Sequence, residues 1–191
     1  MRKIIRSDVR GPRLYAGFRE DLRKRAIEVK RARRVEVGPI VALVFENRTT
    51  VLFQIEEMLR VEHIEDEMGI QHEIDTYNEL VPDPGELSAS LFVEITETAQ
   101  IRPTLNRLVG LDEHVHLDVG EHSVRATFEA GRQEEERISA VQYIRFRLPE
   151  PARAALRAPG TRVRLRIDHP AYAHTTDLDD KSRAALAQDL D

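Results

Sequence analysis

Residues 40–45, Ile-Val-Ala-Leu-Val-Phe, are six consecutive apolar positions. A strand with one wet face alternates polar and apolar side chains, so an unbroken run predicts a strand covered on both faces. Such a strand needs a packed layer on each side of its sheet. Gly38 and Pro39 punctuate its start, and Glu46 ends it. A second strong strand, LSASLFVEIT, follows at residues 87–96 and ends in Glu94 and Thr96. Between the two strands, Asn47 or Thr49 can cap a helix over about 50–63. A further helical stretch is expected over 65–80, weakened near Gly69. Pro82, Pro84 and Gly85 then force a turn.

Before the first strand, Phe18, Leu22, Ala26 and Val29 recur at helical spacing. They predict an amphipathic helix with a basic outer face over about 14–34. Downstream, a short helix with Pro103 near its first turn closes at Gly110. HVHLDVG, HSVRATFE and SAVQYIRFRLP read as successive strands, with a tight hairpin at Gly120-Glu121 and a polar connector over 131–139. A short helix then precedes TRVRLRIDHP, a strand with Val163, Leu165 and Ile167 on one face and arginines on the other. A final helix is capped by Asp177 or Asp179. This order predicts a single α+β domain over 1–191, with a largely antiparallel sheet and helices packed mainly on one face.

The sequence has no cysteine. Disulfides, thiol catalysis and Cys-ligated zinc or iron–sulfur clusters held by this chain alone are therefore excluded. No apolar run approaches the roughly 18 residues of a membrane span. The basic start lacks the apolar stretch of a signal peptide, so a cytoplasmic location is expected. The net charge of −5 conceals an uneven distribution. Residues 1–34 hold 13 Lys+Arg and 4 Asp+Glu, a net +9, and the rest of the chain is net −14. A basic segment of this kind binds nucleic acid or an anionic surface, or packs on its own acidic body or an acidic partner.

Several stretches bear candidate chemistry. VFENRTTVLFQIEEMLRVEHIEDE, residues 44–67, crowds carboxylates onto a predicted helix. Glu46 stands where a buried strand ends, and Glu57 shares a helix side with Gln54. A desolvated carboxylate has a raised pKa and can act as acid, base or metal ligand. The alternative is a solvated helix face with a Glu56–Arg60 pair. In EHVHLDVG, His114, His116 and Asp118 share one face of a strand, where they either ligate zinc, iron or manganese or simply meet water. In DHPAYAH, Asp168 and His169 stand where a strand stops, and Tyr172 and His174 add donors. An Asp beside a His can orient and charge the imidazole. Asp75, Tyr77, Asn78 and Glu86 flank the proline-rich turn. No phosphate-cradling loop, HExxH pair or nucleophile elbow is present.

At GPIVALVFENRTTVLFQIEEMLRVE, TYNELVPDPGELSASLFVEIT and IDHPAYAH the chain resembles a bacterial family catalogued as a domain of unknown function, number thirty-five-oh-one. The resemblance runs from about Tyr15 to Leu190. Its shared pieces contain Glu46 with Asn47 and Arg48, Gln54 with Glu57 and Met58, Tyr77-Asn78, Pro82, Gly85 to Ser88, Glu94, and Asp168-His169-Pro170 with Tyr172. His114, His116 and Asp118 lie outside them. The family transfers no reaction. Its association with rubrerythrin-like and iron–sulfur proteins implies a redox setting.

Three functions are expected from these features. The first is a binding or accessory protein with a redox-protein partner or a second copy of itself, in which Arg48, Gln54, Tyr77, Asn78, Glu86, Glu94, Asp168 and Tyr172 contribute to binding. The second is a metal-dependent enzyme or sensor, with a divalent metal held where Glu46, Glu57, Glu86, Glu94 and His169 converge. Glu46, Glu57 and His169 are also its candidate catalytic groups. The third, ranked last, is nucleic-acid binding through residues 19–34.

Overall fold

A computed structural model of the chain describes residues 1–129, 133–134 and 137–190. In chain order its elements are α1 (Pro12–Arg31), β1 (Arg34–Val37), β2 (Val41–Glu46), α2 (Arg48–Val61), α3 (Glu67–Asn78), β3 (Glu86–Val93), α4 (Thr98–Arg107), β4 (Val115–Val119) and β5 (His122–Arg125). They continue with β6 (Thr127–Phe128), β7 (Gln133–Glu134), β8 (Arg137–Ile138), β9 (Val141–Arg147), α5 (Glu150–Arg157), β10 (Val163–His169), β11 (Tyr172–Asp177) and α6 (Asp180–Gln188). The polar connector expected over 131–139 is described only where β7 and β8 pair; its other residues lie largely outside the described ones.

The fold is α+β, and the strands form two main antiparallel sheets instead of one. One has the order β1-β2-β3-β9-β6 and the other β11-β10-β4-β5. The apolar run in β2 is buried at every position. Val41, Leu43 and Phe45 enter the main core with Leu87, Ala89 and Leu91 of β3 and with Leu117, Leu165 and Ile167 of the second sheet. Alternation turns Glu46, Ser88 and Ser90 to the opposite face of the first sheet. A separate core joins Val51, Ile55 and Leu59 of α2 to Ile70 and Ile74 of α3 and to Ile4 and Val9 of the N-terminal arm. Each such aliphatic side chain contributes about 1.5–3 kcal/mol through burial. The helices thus divide between two cores, because Leu105 of α4, Leu156 of α5 and Leu186 of α6 belong to the main one.

HSVRATFE, expected as one strand, is split between the sheets. β5 pairs with β4 and β6 pairs with β9, while Ala126 between them donates its N–H to the Val115 carbonyl at 2.8 Å. At the other junction, the Tyr172 hydroxyl at the start of β11 donates to the Val37 carbonyl at 2.6 Å and accepts from the Ile40 N–H at 3.2 Å. Gly38 lies beneath this contact with φ +73°, and a Cβ there would fall 2.5 Å from the Tyr172 oxygen and the His174 ring. Strand β11 was not expected, since its residues YAHTTD lack an apolar alternation and are mostly exposed.

Asn47, not Thr49, caps α2. Its Oδ1 accepts from the N–H groups of Thr49 and Thr50 at 3.0 Å each, and Thr50 Oγ1 accepts from the Asn47 N–H in return. Asp66 and Asp179 cap α3 and α6, each accepting one N–H, from Gly69 and Ser182. Helix α4 runs from Thr98 to Arg107, so Pro103 stands inside it and not in its first turn. The hydrogen bond its ring nitrogen would have donated one turn back is absent.

Candidate functional site

Glu57 is a structural strut. Its carboxylate accepts from the Tyr15 hydroxyl at 2.7 Å, from Arg19 at 2.7 and 3.0 Å, and from Arg60 at 3.2 Å. Arg19 chiefly, with the Tyr15 and Arg60 donors adding to it, holds the Glu57 carboxyl down at about 2 against the opposing effect of burial. The cluster ties α1 to α2. The neighbouring acid behaves differently from the surface pairing expected of it: Glu56 is fully buried and accepts the Arg10 N–H at 2.7 Å, and burial pushes its carboxyl upward. Gln54 of α2 stands near the hydroxyl of Tyr77, which packs against the second core. Asn78 exchanges two hydrogen bonds of 2.8 Å with the backbone of Ile4, and Arg48 pairs with Asp8 at 2.5 Å. These shared residues hold the N-terminal arm and the first three helices together.

Glu46 and Glu86 lie on the face of the five-stranded sheet turned away from the main core, and both are buried. Glu46 accepts from Thr50 Oγ1 at 2.5 Å and from Ser90 Oγ at 2.7 Å. Glu86 receives Arg145 at 3.2 Å and Arg147 at 2.9 and 2.6 Å. The strand register places Ser88 opposite Glu46 on one side and Arg145 on the other, with Arg147 opposite Glu86. Ser90, Arg145 and Arg147 were not singled out in the sequence. The arginine alternation in IRFR was the available signal, but it carries no information on which carboxylate it faces.

The two histidine-bearing stretches, distant in sequence, meet on the four-stranded sheet, where β4 pairs with β10. His114 Nδ1 lies 2.8 Å from Asp168, and His116 Nε2 lies 3.4 Å from its other oxygen. Arg166 bridges Asp168 and Asp118, and Ser123 Oγ donates to Asp118 at 2.6 Å. His114 holds the Asp168 carboxyl below its usual range, and burial lowers His116. His169 is buried beneath His114, with the two rings edge to face at 5.2 Å. Its Nδ1 accepts the Ala171 N–H at 3.1 Å, which requires Nε2 to carry the proton donated to the Val109 carbonyl at 3.0 Å. One ring nitrogen therefore braces the turn after β10 and the other ties it to the segment after α4.

The expected meeting of Glu46, Glu57, Glu86, Glu94 and His169 at one point is not formed. Each has its own partners, Glu94 being paired with Arg34 at 2.8 Å. Among the described residues, no three His, Asp or Glu side chains are grouped so as to hold a metal ion. His114, His116 and Asp168 come nearest in chemistry, but Arg166 already occupies the carboxylate that would face the ion.

The basic segment divides in two. Arg2, Lys3, Arg6, Arg13, Arg19, Arg33 and Arg34 all form ion pairs, most of them with acids of the body of the chain. Arg33 with Asp189 is a fully buried pair. By contrast, Arg23, Lys24, Arg25, Lys30 and Arg31 have no ion-pair partner among the described residues. All five are on the second half of α1, a twenty-residue helix that buries only Tyr15 and Ala26. Beside this half runs a groove of about 750 Å³ between the end of α1, the edge strands β1 and β11, and the start of α6. No helix among the described residues is long and apolar enough to cross a membrane.

Comparison with known proteins agrees with this architecture. A crystal structure of a protein of unknown function from Burkholderia pseudomallei K96243 is similar over 100% of both chains, at 37% identity and a TM-score of 0.93. No curated protein matches. Residues 3–190 match the family described as "Protein of unknown function (DUF3501)", and the chain belongs to that family.

Proposed function

We propose that this chain is a binding or accessory protein and that the second half of α1 docks an acidic surface of another protein. The observation that supports it is the uneven use of the basic segment. Where cations serve the fold they are mostly ion-paired, and apart from Arg10, whose guanidinium lies over the Phe18 ring, the unpaired ones collect on one helix half. Charges held uncompensated at a surface attract an oppositely charged partner and steer its approach. The resemblance to a family associated with rubrerythrin-like and iron–sulfur proteins makes such redox proteins the first partners to try. The absence of any cysteine means that such chemistry would reside on the partner.

The test is complex formation between the purified chain and a purified rubrerythrin-like or iron–sulfur protein, followed by calorimetry. A complex that is lost on combined substitution Arg23→Glu, Lys24→Glu and Arg31→Glu is expected. A complex unaffected by that reversal would remove α1 from the contact. A nucleic-acid backbone would meet the same cations, and preferential binding of an oligonucleotide with a steep loss of affinity in salt would select that alternative.

A further inference from the structure

We propose that the groove beside α1 takes an apolar side chain from an acidic amphipathic segment of the partner, so that one face of the helix reads both charge and shape. This rests on the reading of α1 as the docking helix. At 3.6 residues per turn, positions 23, 24, 27, 30 and 31 fall within an arc of about 120°. Ile27 is at the centre of that arc, 41% exposed, with Arg23, Lys24, Lys30 and Arg31 around it. Ile27, Lys30 and Arg31 also line the groove, whose apolar wall is completed by Val35 and Leu178.

The acids that line the groove are mostly already engaged. Asp177 receives both arms of Arg162 at 2.8 Å, and Asp179 caps α6 through the Ser182 N–H at 2.7 Å. Of the lining cations, Arg34 is shared by Glu94 and, at 3.7 Å, by the third lining acid, Glu36, which leaves Lys30 and Arg31 unpaired. The groove therefore presents an apolar wall with two unpaired cations, Lys30 and Arg31, along its α1 side. Its complement is an apolar anchor flanked by carboxylates, which is what an acidic amphipathic segment displays along one side. A nucleic-acid backbone supplies the negative charge but no aliphatic anchor. A second copy of this chain would have to bring such a segment from its own acidic body.

The experiment is fluorescence anisotropy on the full chain with labelled synthetic probes. One is a short Glu/Asp-rich peptide with Leu and Phe on one helical face. The second is the same peptide with Leu and Phe replaced by Ser, and the third is a single-stranded oligonucleotide of equal charge. The first peptide is expected to bind about tenfold more tightly than the second, the effect of burying one or two aliphatic groups. Ile27→Ser, at an exposed position that leaves the core intact, is expected to erase that advantage while the salt dependence persists. If both peptides bind equally and Ile27→Ser changes nothing, the groove proposal fails, although charge reversal at Arg23, Lys24 and Arg31 still tests the basic face. Failure of the first peptide to bind even at low salt overturns the groove proposal as well. An oligonucleotide that outcompetes the first peptide overturns it in favour of a nucleic acid. Light scattering that shows a dimer abolished by Ile27→Ser overturns it in favour of a second copy.

Discussion

The two halves of α1 carry the same kind of residue to different ends. In the first half, Arg13 and Arg19 reach acids of α2 and of the loop after it, and Tyr15 sinks completely between the helices. In the second half, Arg23, Lys24, Arg25 and Arg31 are exposed and form no ion pair among the described residues, although Glu20, Asp21 and Glu28 stand three or four positions from them. The difference shows that a basic stretch is not one property. A cation that a neighbouring acid neutralises contributes to stability, and one left without a partner is available for recognition. The four-stranded sheet shows the first case again, since Arg166 between Asp118 and Asp168 neutralises what otherwise resembles a ligand set.

Substitutions should separate paired from unpaired cations. The largest loss of stability is expected for Arg33→Ala just beyond α1, because it strands the buried Asp189 carboxylate. A cost of about 3–5 kcal/mol follows for one partner of a buried pair, read as a lower urea midpoint. An unchanged midpoint would mean that the pair contributes nothing to folding. Next comes Glu57→Gln, expected to lose about 1–3 kcal/mol as Arg19 and Tyr15 lose their shared acceptor. A variant as stable as the natural chain would refute the strut.

Acid provides a smaller and graded effect from the same contact. The Glu57 carboxyl is lowered from its ordinary 4.5 to about 2 in the folded chain. A depressed carboxylate contributes stability that is complete above its unfolded pKa and is lost as pH falls toward the folded value. Stability should therefore decline below about pH 4.5 partly through Glu57, and Glu57→Gln should flatten that limb of the pH profile. The smallest effect on stability belongs to the charge reversal at Arg23, Lys24 and Arg31. It is expected to remain within about 0.5 kcal/mol, as is usual at unpaired surface positions. Thermal unfolding of that variant is the check, and a drop of several degrees would show that those side chains serve the fold after all.

Much of the fold was legible. The unbroken run in β2 required cover on both faces, and it has it. The caps, the proline turn before β3 and the Gly120 hairpin follow from local chemistry that needs no distant partner. What escaped depended on pairing. β5 and β6 have one continuous pattern yet join different sheets, and no periodicity marks the residue at which a segment changes neighbours. β11 lacks an alternation because most of its side chains on both faces are exposed. Glu57 could be recognised as an unusual carboxylate, but Tyr15 and Arg19, which explain it, stand some forty positions away.

The amino-acid sequence by itself determined the α+β class, the doubly covered strand, the caps of α2 and α6 and the concentration of positive charge before residue 35. These depend on neighbours along the chain, through backbone hydrogen bonding and the spacing of apolar side chains. Only the tertiary structure decided which charges cancel. It joined His114 to Asp168, hid Glu46 and Glu86 behind hydroxyls and arginines, and left five cations of α1 unmatched beside a groove. The physical reason is that a hydrogen bond needs its partner at about 3 Å and that exposed charges are screened beyond about 10 Å at physiological salt. The role of a charged side chain is therefore set by what folding places next to it.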